Sequence, residues 1–281
     1  MRQFQTQLEG FVAYPFNRNH RFEVGAAYAR YGFRAEHWRF GRNTGISDRR
    51  AMSADDAMRL GLGNLESFAM PQVTAGFIGD NTVFGIAAPL QGYRYRMTVG
   101  QSFGEYNFQV YNFDYRRYER LKPITLAARV YSYMRVGEGE DRFQGLYIGY
   151  PFLMRGYERI QDLSGRVTFN DLVGSRMAVA NFEVRLPFTG PEGLAMFKSG
   201  LLWSDLNLFF DAGLAWSRGN TVRWSKNDSD RILVNNPNGE SVFEYDPQVR
   251  APLYSVGISM RVNLFGAMIL EPYYAVPLLR R

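Results

Sequence analysis

Apolar and polar residues alternate along most of this chain with a period of two. That is the pattern of strands with one apolar and one polar face. Phe4, Leu8, Val12 and Tyr14 oppose Gln3, Gln5, Gln7 and Glu9. Phe22, Val24, Ala26 and Tyr28 form a second apolar row, and Tyr93, Tyr95, Met97 and Val99 oppose Arg94, Arg96 and Thr98. Ile124, Leu126, Ala128 and Val130 oppose Thr125, Arg129 and Tyr131. Phe182, Val184, Leu186 and Phe188 oppose Asn181, Glu183 and Arg185, and Leu206, Leu208, Phe210 and Ala212 oppose Asn207, Asp211 and Gly213. Tyr254, Val256, Ile258, Met260 and Val262 continue the theme, as do Met268, Leu270, Tyr274 and Val276 against Glu271 and Tyr273. A shorter strand is expected over 70–79. In 105–119 the apolar phase jumps from Phe108 and Val110 to Tyr111, Phe113 and Tyr115, which predicts a β-bulge.

The expectation is an all-β chain of about ten strands, many about 10–14 residues long, where soluble strands average about 5–6. A tilted strand of about 9–11 residues crosses a bilayer. The connections sort by length. Those at 16–20, 80–90, 120–122, 189–203 and 264–266 are short to medium. The alternate set, at 42–69, 101–104, 138–175 and 217–251, holds all three long loops. Short turns at one rim and long loops at the other define an antiparallel transmembrane β-barrel. Ser53, followed by Asp55 and Asp56, predicts the N-cap of a short helix within 42–69. Loop 217–251 is rich in Asn, Asp, Ser and Gly and reads as solvated.

Composition narrows the choice. Aromatics make up 16% of 281 residues, yet mean hydropathy is −0.29, which fits alternation better than apolar blocks. Cysteine is absent, which excludes a disulfide scaffold and a thiolate metal site. The net charge is +6, but the basic residues are scattered singly, without the clustered footprint that nucleic-acid binding needs. The only histidines are His20, in an expected turn, and His37, near an expected strand end beside Trp38. Ser53, Asp55 and Asp56 are conceivable partners for His37, but nothing in the sequence fixes a catalytic geometry. No enzyme and no cofactor is expected.

The stretch Leu153-Met154-Arg155-Gly156-Tyr157-Glu158 stands out. Its upstream flank, Tyr147 to Leu153, is strongly apolar, so the loop is expected to fold back onto the protein and carry Arg155 with it. Arg155-Gly156-Tyr157 resembles the Arg-Gly-Phe/Tyr signature of the sixth extracellular loop in the outer-membrane assembly and translocation superfamily, which includes BamA, TamA, two-partner secretion transporters and bacterial surface antigens. Further blocks resemble that family in order: 176–188, Leu208-Phe209-Phe210-Asp211-Ala212-Gly213, 254–261 and 270–278. Asp80-Asn81-Thr82, Gly92 to Arg96 and Asp114 to Tyr118 resemble a subgroup whose barrel follows a periplasmic β-propeller.

The resemblance implies a bacterial outer-membrane barrel that supports insertion or translocation of polypeptide or lipid, with loop 138–175 folded into the lumen. A passive pore, or a structural anchor for a periplasmic partner domain, is the alternative. In the family the loop arginine pairs with inward acids. The alternation independently points Glu183 and Asp211 to the polar side, and an arginine held there needs a carboxylate. The expected latch is therefore Arg155 with Asp211 first and Glu183 second, Gly156 allowing the turn and Tyr157 packing on the wall. Expected partners are outer-membrane lipid, a polypeptide or lipid substrate and a periplasmic propeller, without nucleic acid. Residues 1–281 read as a single barrel domain. Loop parity puts both ends of the ten strands on the long-loop side, so at least one further strand is expected at each end, in a barrel of about 12–16 strands.

Overall fold

A computed structural model describes residues 2–41, 45–60, 67–85, 87–141, 145–158, 167–200, 202–235 and 241–278. One large sheet dominates, its long strands antiparallel and neighbouring in chain order. They are β1 (Arg2–Pro15), β2 (His20–Arg34), β3 (Phe68–Asp80), β4 (Pro89–Ser102), β5 (Asn107–Leu121) and β6 (Ile124–Glu138). They continue as β7 (Arg176–Gly190), β8 (Leu202–Trp216) and β9 (Leu253–Leu264). The tenth, β10, comes in two pieces, Met268–Leu270 and Tyr273–Pro277. Both pieces keep one register against β9, with Leu270 opposite Val262 and Tyr273 opposite Ser259. Pro272, which has no N–H to donate, interrupts the ladder between them.

The period-two pattern sorts the residues as read. Even-numbered Val184, Leu208, Ile258 and Tyr274 lie on one face of neighbouring strands. That face is apolar and open: Leu8, Val12, Val24, Val130, Phe182, Leu208 and Ile258 are all exposed. A continuous apolar face of this extent is what a lipid-facing surface requires. The opposite face carries Asp114, Arg129, Glu183, Arg185, Asp211 and Arg261. Among the described residues no helix is long and apolar enough to cross a membrane, whereas nine of the strands have 12–15 residues.

Aromatic rings gather at the short-turn end. Tyr14 packs edge-on to Phe16, Phe16 to Phe77, and Tyr93 stacks on Tyr95. His20 opens β2 inside this group, its Nε2 2.9 Å from the Tyr93 hydroxyl. Such a ring belt marks a membrane–water boundary.

The strand expected to be short over 70–79 runs for 13 residues as β3 (Phe68–Asp80), and three further local expectations change. First, β5 has no bulge: its register runs unbroken against both β4 and β6. Phe108 and Val110 lie on the otherwise polar face, where they join Phe68 and Met70 in a buried cluster. The phase jump reflects an apolar lining at that height. Second, β2 ends at Arg34, and Glu36–Gly41 pairs with Gly45–Ala51 as a separate hairpin. Ala35 is buried and its carbonyl accepts from the Met52 N–H at 2.9 Å, which folds the chain out of the sheet. Third, loop 217–251 contains structure of its own, including the hairpin Arg231–Asn235 with Ser241–Tyr245. The helix α1 (Ala54–Arg59) forms with Ser53 as its cap, Oγ accepting from the Asp56 N–H at 3.1 Å.

Candidate functional site

The connection between β6 and β7 folds back over the polar face of β7, β8 and β9. Apolar side chains anchor it. Ile148, Leu153, Met154, Tyr157, Val167 and Leu172 form a buried cluster with Met177, Val179, Ala215 and Leu253 from those strands. Burying several large side chains supplies the driving force, at about 1.5–3 kcal/mol each. The Tyr157 hydroxyl donates to the Tyr254 carbonyl at 2.9 Å, and the Tyr157 carbonyl accepts from the Tyr147 hydroxyl at 2.8 Å.

This anchoring delivers Arg155 to the carboxylates. Its Nε donates to Asp211 Oδ2 at 2.8 Å and its Nη2 to Asp211 Oδ1 at 2.7 Å. The Arg155 backbone N–H also reaches Oδ2, at 3.2 Å. The remaining prong, Nη1, donates to Glu183 Oε1 at 2.9 Å. The guanidinium carbon lies 3.6 Å from the centre of the Phe209 ring, so the cation rests on an aromatic face. Arg155 is 6% exposed and Asp211 fully buried. Burial opposes the charge on Arg155, but the hydrogen bonds and attraction of Asp211 and Glu183 hold its pKa above the ordinary guanidinium value.

Two glycines make room. Gly156 takes a φ of +90°, a region costly for other residues, and a Cβ there would come within 3.1 Å of Ala275 Cβ. The loop therefore turns against β10. A Cβ at Gly257 would overlap the Phe209 ring, at 2.4 Å from Cζ. Gly257 thus lets Phe209 lie flat beneath Arg155.

Around the pair the charges interlock. Glu183 accepts from Arg185 Nε at 2.8 Å and from Arg261 Nη2 at 3.1 Å. Arg261 Nε reaches Glu271 at 2.8 Å, and Ser259 donates to the same carboxylate at 2.9 Å. Asn181 Nδ2 bridges Asp211 and the Leu153 carbonyl, at 2.8 Å each. Three arginines thus face three carboxylates. Such balance is what allows charges to remain ionised where water is scarce. Beside them Asp114 pairs with Arg116 and Arg129, and Arg129 Nη1 donates to the Phe152 carbonyl at 2.9 Å, fastening the loop a second time.

All five residues singled out from the sequence, Arg155, Gly156, Tyr157, Glu183 and Asp211, meet here. Phe209 and Asn181 were not foreseen as partners. A signal for Phe209 existed, since a phenylalanine between Asn207 and Asp211 in the polar phase must have something to cover. Asp171 was also unforeseen. It accepts from Lys226 Nζ at 2.6 Å and lies 3.8 Å from Arg250, tying loop 139–175 to loop 217–252. Ser53 and Asp56 bond each other at the helix cap, with Ser53 Oγ donating to Asp56 Oδ2 at 2.8 Å. Among the described residues no group of three or more His, Cys, Asp or Glu side chains could hold a metal ion.

The Omp85 superfamily domain matches residues 5–279, and the chain belongs to this superfamily. The crystal structure of BamA from Haemophilus ducreyi lacking POTRA domains 1–3 shares the fold, with a TM-score of 0.58 at 14% identity. The alignment covers 98% of this chain and 51% of that one, so the chain spans about half the length of that relative. No curated protein matches by sequence. The architecture is that of an antiparallel outer-membrane β-barrel.

Proposed function

We propose that this chain is an outer-membrane barrel whose polar face lines a lumen, with the β6–β7 loop latched inside it by Arg155. The barrel supports insertion or translocation of polypeptide or lipid, and a periplasmic domain supplies substrate recognition. The observation that carries this reading is the buried pairing of Arg155 with Asp211 and Glu183. A loop that merely covered a pore would need no buried charge, because burying one is costly unless it is fully paired. Membership of the superfamily supports the outer-membrane location and the assembly or transport role.

The test uses the full-length protein in reconstituted vesicles. Arg155→Ala is expected to abolish substrate insertion or translocation while the barrel still folds. If transport persists and only ion conductance changes, the chain is a passive pore or anchor.

A further inference from the structure

The apolar face is not uniform. Between β7, β8, β9 and β10 it is indented by a cavity of about 660 Å³, inside the ~300–1,000 Å³ range of ligand pockets. Val184, Leu186, Leu206, Leu208, Ile258 and Tyr274 contribute its apolar walls, and none of its lining residues is charged. The indentation lies where β10 is interrupted. Pro272 occupies the gap in the ladder, and Glu271 is drawn to the opposite face by Arg261 and Ser259. The strand therefore sets an imino ring at this point and leaves the apolar side unfilled.

We propose that this cavity seats one acyl chain of a membrane lipid. The proposal rests on reading the sheet as a membrane barrel. The occupant follows from position: the cavity is continuous with the exposed apolar face, so hydrocarbon is what surrounds it. Its height selects the leaflet. Val184, Leu208 and Ile258 sit near the middle of their strands, while Ile124 opens β6 and Leu186, Leu206 and Met260 lie towards the short-turn ends of β7, β8 and β9, so the cavity extends from mid-sheet to the short-turn side. Short turns face the periplasm in outer-membrane barrels, so the seat takes a chain from the periplasmic leaflet, where the lipid is phospholipid.

The full-length protein is reconstituted into phosphatidylethanolamine vesicles doped with a phospholipid carrying a diazirine midway along one acyl chain. After photolysis, labelled residues are mapped by peptide mass spectrometry. Leu208 and Ile258 are 60% and 56% exposed, close to Val24 at 50% and Val99 at 45% on the same face. A seat predicts several-fold more label at Leu208 and Ile258 than at Val24 and Val99. Leu208→Trp, which fills the cavity, removes the excess and leaves the label at Val24 unchanged. Ile258→Phe serves the same purpose if the first variant does not fold. Equal labelling of the four positions, or an excess that survives filling, overturns the seat but leaves the barrel standing. An absence of label anywhere on the apolar face overturns both.

Discussion

Arg155 and Asp211, 56 residues apart in sequence, form a two-pronged ion pair with contacts of 2.8 and 2.7 Å. Removing one partner of such a pair strands the other charge, typically at about 3–5 kcal/mol. Arg155→Ala is therefore expected to lower the thermal unfolding midpoint of the detergent-solubilised protein. Arg155→Lys keeps the charge but cannot make the fork, so its midpoint should fall between wild type and Arg155→Ala.

Gly156→Ala tests the turn beside the pair. The φ of +90° and the close approach of Ala275 penalise any side chain. A residue forced into such a conformation costs about 1–3 kcal/mol. The loop should become susceptible to protease near 150–158 while the strand signal in circular dichroism is unchanged.

The apolar face is tested by neighbours on opposite sides of β1. Leu8 and Gln7 are both exposed, Leu8 on the apolar face and Gln7 on the polar one. An arginine facing lipid near the bilayer midplane costs about 2–4 kcal/mol, whereas positions facing the lumen tolerate polar substitution. Leu8→Arg should reduce folding yield into vesicles, and Gln7→Arg should not.

The tie between the two long loops is tested at Lys226, which bonds Asp171 at 2.6 Å. Lys226→Ala leaves a buried carboxylate with Arg250 as its remaining ion-pair partner. Limited proteolysis within 217–252 should accelerate without a shift in the unfolding of the main sheet.

Much of this architecture was legible in the chain because strand periodicity is a local signal. Val184, Leu208 and Ile258 declare their face through their immediate neighbours, and loop lengths then declare the ends. Asp211 and Glu183 could be placed on the polar side for the same reason. What alternation cannot convey is depth within a face. Phe108 and Val110 looked like a bulge because the polar face was expected to be polar throughout, while Phe68 and Met70 make it apolar there. Contacts between loops carry no period at all, so the Asp171–Lys226 tie was invisible. The end of β2 at Arg34 depends on the Ala35–Met52 hydrogen bond, a contact set by the hairpin beyond it.

The central claim is that Arg155 latches the loop through Asp211, and a charge exchange tests it most directly. Unfolding midpoints are measured for Arg155→Asp, Asp211→Arg and the double variant. The pair predicts that the double variant recovers part of what either change loses, with a coupling of about 0.5–3 kcal/mol. Losses that simply add, with no recovery in the double variant, would contradict the latch.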